Sequence, residues 1–414
     1  MYIKRKLETT ILSYLEDPEI LAIVGPRQSG KTTLLKKIHG GLSDAVFISF
    51  DKMQTLADFE RDIDGFAKKY LAGKYLFIDE FQYAKQGGKN LKYLYDTYPG
   101  CKIIISGSSA IDLTIKALKF LVGRVFIFNL YELDFEEFVS FRDPSLMALY
   151  AECRQHINLK KPSIASLKIS GPANSQLLAL ADEFIIWGGY PRVILEDTED
   201  KKMTVLSNIY NTYFLRDIKD TLGLIDDFKL SKLIEALAVQ IGQLVNYNEL
   251  GQISGYDQIT LKKYLNILEK TFICQLVRPW FSNRRKEITK NPKPYFFDTG
   301  LRNYVLQNFN PLNRRSDKGP LYENFIFTQL LKQNCSVNYW RSKSQSEVDF
   351  VVKTGPTVIP IESKSLLNTA TVTRSLHNFI REYRPSHALL LGDSAFHATK
   401  IENTAVHFLP RWVI

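Results

Sequence analysis

Cysteine is scarce in this chain: four residues in 414, Cys101, Cys153, Cys274 and Cys335, with no CxxC pair among them. That spacing excludes a zinc ribbon and a disulfide framework, and predicts reduced thiols held mostly in cores. Long apolar runs are also missing. Stretches such as Tyr75–Ile78 and Cys101–Ile105 fall far below the roughly 18 to 20 residues of a membrane-spanning helix. No membrane segment is expected. The N-terminus, MYIKRKLETTIL, is basic but leads into a pattern broken by Glu8, Glu16 and Asp17, not into the apolar block of a signal peptide, so a cytoplasmic location is expected. Internal repeats and low-complexity tracts are absent too.

A basic excess is missing from the first half and concentrated in the second. Residues 1–200 hold 25 Lys and Arg against 26 Asp and Glu, and residues 201–414 hold 29 against 18. A field of that sign favours a polyanion, and DNA is the expected partner. With 45% hydrophobic and 24% charged residues over 414 positions, the chain reads as folded throughout and too long for one core. Four units are expected, at 1–140, 141–228, 229–300 and 301–414.

Short β-rich runs alternate with helical text as far as residue 130: Ile20–Val24, Ala45–Phe50, Tyr75–Ile78, Lys102–Ile105 and Val125–Leu130. This predicts an α/β unit with a parallel sheet covered on both faces. Gly25, Pro26, Arg27, Gln28, Ser29, Gly30, Lys31 and Thr32 spell G-x-x-x-x-G-K-[ST] between a buried strand and the helix that opens at Thr33. That is a P-loop in its required setting, and it predicts bound ATP. Glycines let backbone N–H groups close around phosphates at a helix N-terminus. Lys31 is expected on the β- and γ-phosphates, and the Thr32 hydroxyl on Mg²⁺.

Tyr75-Leu76-Phe77-Ile78-Asp79-Glu80 is an apolar strand ending in two carboxylates. Asp79 is expected to hold Mg²⁺ through its water shell and Glu80 to polarise the attacking water. Ser108, in Ser106-Gly107-Ser108-Ser109 after the next strand, reads either as a phosphate sensor or as a helix cap.

The segment 141–228 reads as a helical insertion or lid, interrupted at Trp187-Gly188-Gly189-Tyr190-Pro191. Residues 229–298 read as three helices followed by two strands around a basic tip, the order of a winged helix. Gln258, Thr260, Lys262, Lys263 and Asn266 form the polar side of its third helix, with Ile259, Leu261, Tyr264, Leu265 and Leu268 opposite. Arg284, Arg285, Lys286 and Lys290 would contact phosphates without reading sequence. Such a unit serves equally as a protein-binding module.

From Leu321 the order becomes αβββαβ. Glu323 lies in its first helix, Asp349 in Glu347–Val352, and Glu362-Ser363-Lys364 follows thirteen residues after Asp349. Asp349 and Glu362 would bind a divalent cation, Mg²⁺ or Mn²⁺, near the Ser363 carbonyl, with Glu323 completing its outer coordination shell. Lys364 would position the bound water whose pKa the metal lowers.

The text GPRQSGKT, LFIDEFQ, IIISGSS, Val122-Gly123-Arg124 and NLYELDFEEF resembles the AAA+ ATPases. It is most similar to the group whose ATPase domain is joined to an uncharacterised, nuclease-like C-terminal module. The Asp349, Glu362 and Lys364 pattern is similar to that of the PD-(D/E)xK, or restriction-endonuclease-like, nucleases. The resemblance implies an AAA+ sheet with a helical lid, a winged helix and a nuclease-like domain. It also implies an arginine reaching the γ-phosphate of a neighbouring subunit in an ATP-promoted homo-oligomer. Arg124 holds that place in the text, with a structural ion pair as the competing role, and Arg216 is a weaker candidate in cis. Two functions stay open: an ATPase coupled to a metal-dependent deoxyribonuclease, and a regulatory ATPase switch whose C-terminal module only binds DNA or a partner. A small-molecule kinase would leave Asp79-Glu80 and the basic unit without a role.

Overall fold

The computed structural model describes residues 1–107, 120–157, 159, 162, 167, 169–214, 226–280, 290–355, 357–364, 371–393 and 396–414. Five strands, β1 (Ile20–Val24), β2 (Ala45–Ser49), β3 (Tyr75–Asp79), β4 (Lys102–Gly107) and β5 (Val125–Asn129), form an all-parallel sheet in the order β2-β3-β4-β1-β5. The central strands β1, β3 and β4 are buried along their whole length. Their continuous apolar text follows from this, because successive side chains feed opposite faces. Ile20, Ala22 and Val24 pack with Leu76 and Ile78 under the helices Met53–Arg61, Ile63–Tyr70 and Gly87–Thr97. Leu21 and Ile23 pack with Phe77 under Lys6–Ser13 and Lys31–His39.

Because β4 lies between β1 and β3, Val24 and Asp79 end two parallel strands on one edge of the sheet, one strand apart. That edge carries the site. Phe272 and Phe297, from far along the chain, complete the core of this sheet. The Tyr131 ring lies 5.8 Å from Phe272 and 5.9 Å from Phe297.

A second core joins Ile3 to residues between Leu133 and Ile414, and a smaller one gathers Leu376, Phe379 and Ile380 with Trp340, Leu390 and Phe408. The helix Gly171–Trp187 stops at Gly188, whose φ is 78°. The stop is fixed from outside. A Cβ on Gly300 would meet the Trp187 carbonyl oxygen at 2.0 Å, and one on Gly188 would meet the Asp298 carboxylate at 2.2 Å. The Gly-Gly interruption seen in the sequence is therefore a docking point for Asp298-Thr299-Gly300.

Three helices, Asp227–Val239, Tyr247–Ser254 and Gln258–Lys270, precede the antiparallel pair β6 (Cys274–Val277) and β7 (Lys293–Phe296). Gly255, at φ 72°, closes the second helix, and the Asp257 side chain caps the third by accepting from the Ile259 and Thr260 N–H groups at 2.9 and 3.0 Å. Ile259, expected on the apolar side, is 84% exposed. It sits in the first turn, before the helix reaches the core, whereas Leu261, Leu265 and Leu268 are buried as expected.

The helix Lys318–Lys332 leads into β8 (Val337–Arg341), β9 (Glu347–Thr354), β10 (Thr357–Ser363), the helix Arg374–Tyr383 and β11 (His387–Gly392), which is the expected αβββαβ order. Two further strands, β12 (His397–Ile401) and β13 (Thr404–Pro410), extend a mixed sheet ordered β12-β13-β11-β10-β9-β8. The four cysteines are free, with Cys153 and Cys274 buried and the other two half-buried. Among the described residues, no helix is long and apolar enough to cross a membrane.

Candidate functional site

The phosphate loop starts where β1 ends. Gly25 passes so close to the Leu130 carbonyl that a Cβ would stand 2.0 Å from its oxygen. Only glycine allows that approach. Gln28 (φ 62°) and Gly30 (φ 98°) both turn through the left-handed region before the helix Lys31–His39 begins. Lys31 reaches back across the loop, its Nζ donating to the Gly25 and Pro26 carbonyls at 2.9 and 2.8 Å. A γ-phosphate entering the loop is a stronger acceptor for this cation than two neutral carbonyls.

Arg27, Gln28, Gly30, Lys31, Thr32, Thr33 and Glu80 face a cavity of about 580 Å³, whose other wall includes Ile3, Pro191 and Leu195. Arg5, Tyr2 and Arg192 line it as well, so polar and apolar groups mix around the wall away from the loop. Ser29 is buried in the loop beneath it.

Thr32 Oγ1 donates to Asp79 Oδ2 at 2.7 Å, and the Ser106 hydroxyl donates to Asp79 Oδ1. Asp79 is 3% exposed. A hydroxyl and a carboxylate in contact beside a phosphate loop are hard oxygen ligands of the kind Mg²⁺ takes. The donor set fits that ion. Bound there with nucleotide, Mg²⁺ would neutralise charge on the phosphate oxygens. Glu80 sits one residue beyond, in a left-handed turn (φ 56°), with the Gln82 amide against its carboxylate. Its place on the cavity wall suits a group that polarises water.

Arg124 lies at the other edge of the sheet, where its carbonyl accepts from Ile20 N at 2.8 Å ahead of β5. Its guanidinium pairs with Asp96 at 2.9 Å beside Tyr95. Among the described residues, its side-chain partners are Asp96 and the Val122 carbonyl, away from the phosphate loop. Ser108, Arg216, Arg284, Arg285 and Lys286 lie outside the described residues. Lys262 and Lys263 are both exposed on the third helix of the basic unit, beside a small cavity lined by Asn246, Asn248, Gln258 and Asn291 together with Lys262.

In the C-terminal module Asp349 and Glu362 come from neighbouring strands. Asp349 accepts from the Ser363 N–H at 2.7 Å, and Glu362 accepts from Thr373 Oγ1 at 2.6 Å and pairs with Lys364 at 2.8 Å. Glu323 accepts from Tyr295 Oη at 3.1 Å. Lys293, on β7 of the preceding unit, pairs with Glu347. Desolvation, and then the charges of Glu323 and Glu362, hold the Asp349 carboxyl well above the carboxylate range. Desolvation likewise raises Glu323, against the opposing charge of Lys293. Among the described residues no three His, Cys, Asp or Glu side chains are grouped so as to hold a metal ion. The expected residues are neighbours, with protein donors on both oxygens of Glu362 and on one oxygen each of Asp349 and Glu323.

Residues 17–139 match the model of a family described as "AAA domain". The N-terminal part is thus similar to an AAA domain, in keeping with its P-loop and parallel sheet. Two further models match, both described as domains of unknown function, DUF8612 over residues 178–312 and DUF4143 over 318–411. An uncharacterized protein of Haemophilus influenzae is 23% identical, across 98% of this chain and 96% of its own. One from Methanocaldococcus jannaschii is 26% identical, across 81% and 72%. Among solved structures, the Walker-type ATPase of Pyrococcus abyssi has a TM-score of 0.45 at 14% identity, covering 74% of this chain and 96% of that one. AMPPCP-bound DnaA from Aquifex aeolicus has 0.32 at 13%, covering 65% and 89%.

Sequence reasoning missed the partners that hold the AAA site together. Ser106 was within reach, since it ends a buried strand of the same sheet. Arg5 was not, because the groups it serves lie far away in the text, and the same holds for Lys293 at the C-terminal carboxylates.

Proposed function

We propose that this chain hydrolyses ATP with Mg²⁺ in its AAA domain and uses the cycle to act on nucleic acid, with the C-terminal module as a candidate metal-dependent nuclease. The observation that carries the ATPase half is Asp79 held between the hydroxyls of Thr32 and Ser106, with Glu80 next to it on the cavity wall. That arrangement supports a reading in which oxygen ligands for Mg²⁺, the phosphate loop and a water-polarising carboxylate meet at one edge of the sheet. The nucleic-acid half rests on the basic excess after residue 200 and on the three-helix, two-strand order that reads as a winged helix. Lys262 and Lys263 would contact phosphates. In this reading the protein is cytoplasmic, and Arg124 leaves Asp96 to serve a neighbouring copy.

A second reading is favoured by one feature. The carboxylates of the C-terminal module are met by Lys364, Thr373, Tyr295 and a backbone N–H, as in a module that binds and does not cut. The protein is then a regulatory ATPase switch. The test is cleavage of labelled single- and double-stranded DNA with Mg²⁺ or Mn²⁺, with and without ATP, for wild type, Asp349→Ala and Lys364→Ala. Cutting lost in both variants supports the nuclease; ATP turnover without cutting on any substrate supports the switch. A Lys31→Ala protein with full ATP binding and turnover would overturn both.

A further inference from the structure

Arg5 is among the most buried cations of the molecule, at 5% exposure, and it lies outside every motif in the text. Its guanidinium serves three partners. Nη1 donates to the Ser29 carbonyl of the phosphate loop at 2.7 Å, Nη2 to the Tyr131 carbonyl at 2.7 Å, and Nε to Glu137 Oε2 at 3.1 Å. A Cβ built on Gly30 would stand 3.7 Å from Nη1, so the guanidinium lies against the turn that precedes Lys31, where Arg5 also forms part of the cavity wall.

Glu137 is committed as deeply. Its Oε1 accepts from Lys6 N at 2.7 Å, and it closes a capping box with Asp134 at the start of the helix Phe135–Arg142. The same helix start is tied to the C-terminal module, because Phe135 N donates to Gln329 Oε1 at 2.9 Å. Lys332 Nζ adds a bond to the Leu133 carbonyl at 2.9 Å.

We propose that Arg5 is a positioning residue for nucleotide binding. By fixing the Ser29 carbonyl it holds the loop in its phosphate-accepting form, and through Glu137 it ties that form to the helix on which the C-terminal module is seated. The fork geometry explains why arginine stands here. A guanidinium donates to two carbonyls and a carboxylate from three separate nitrogens in one plane, whereas a lysine has all its donors on a single nitrogen. A lysine keeps the charge and loses the fork. The inference rests on reading Gly25–Thr32 as the nucleotide loop and adds a residue outside it.

The obvious variant, Arg5→Gln, leaves Glu137 buried and unpaired, so loss of folding alone could explain a defect. The experiment therefore compares wild type, Arg5→Lys, Arg5→Gln and the double variant Arg5→Gln/Glu137→Gln. For each, the Kd for a fluorescent ATP analogue with Mg²⁺ and the thermal midpoint without nucleotide are measured. A merely structural role predicts that the double variant regains both stability and affinity. A positioning role predicts that it regains stability while Kd stays weakened by about tenfold, the size expected for losing a charge-assisted hydrogen bond to the loop. Arg5→Lys is expected to fold and to bind at least several-fold more weakly. Wild-type affinity in both Arg5→Lys and the double variant overturns the proposal. Wild type that binds no nucleotide overturns the reading of the loop itself, a result distinct from the first.

Discussion

The Thr32 hydroxyl donates to the Asp79 carboxylate at 2.7 Å, across 47 residues of chain and one intervening strand. Each group holds the other where Mg²⁺ would need both. Thr32→Ala is expected to weaken the Mg²⁺ dependence of nucleotide binding and to reduce turnover sharply, while metal-free ADP still binds. Titration with ADP in EDTA and in Mg²⁺ separates the two effects.

Glu80 has a narrower role. Glu80→Gln keeps the turn and the side-chain size, so nucleotide affinity should hold within a few-fold. Turnover should fall by about a hundredfold or more, the range for losing a positioned general base. Single-turnover hydrolysis with excess enzyme is the measurement, and a rate equal to wild type would remove Glu80 from the mechanism.

Glu132 is 1% exposed at the junction of the two cores. Burial pushes its carboxyl up to about 7, opposed by Lys332 and reinforced by Asp298. In this window the folded state holds a proton that the unfolded state has released. Stability is therefore expected to fall as pH rises from about 4.5 to about 7 and to level off above that. Glu132→Gln should remove this slope and stabilise the protein at pH 8 by something on the order of 3 kcal/mol. Urea denaturation at pH 5.5 and pH 8 gives the comparison.

Lys293 and Arg124 make a contrasting pair. Lys293 is 1% exposed and lies among carboxylates from another unit, so Lys293→Met should cost about 3 to 5 kcal/mol, the range for breaking a buried pair. Arg124 shares a half-exposed pair with Asp96, and Arg124→Ala should cost less than about 1 kcal/mol. Denaturation midpoints test both. A stable Arg124→Ala protein then allows a clean test of action between copies: turnover that rises with protein concentration in wild type but not in the variant.

Where one short segment carries its own geometry, the sequence was readable. The P-loop requires Gly25 because the backbone passes the Leu130 carbonyl, and no side chain elsewhere substitutes for that. The strands β1, β3 and β4 announced themselves because both their faces are buried. What stayed hidden depends on distant contacts. The partners of Arg5 lie 24, 126 and 132 residues away, beyond any local pattern. β12 was missed because an edge strand with exposed His397, Ala398 and Lys400 has no apolar rhythm. The phase of Ile259 was misjudged because helical spacing does not say where along its length a helix meets its core. At the C-terminal module, the text brought Asp349, Glu362 and Lys364 together but gave no hint that Lys293 and Tyr295 would arrive from another unit.

The N-terminal sheet takes Phe272 and Phe297 into its own core, and Tyr131, on the loop that follows β5, packs against both. Aromatic packing of Tyr131 on Phe272 and Phe297 pins this boundary against a free swing. Nucleotide exchange is thus expected to act by shear, a small slide of packed helices against the sheet. X-ray scattering profiles of the nucleotide-free and ATP-bound protein should then nearly superimpose, and a large change in radius of gyration would point to a hinge. A shear of that kind moves the third helix of the basic unit as one body with β6, and carries Lys262 and Lys263 along with whatever they hold.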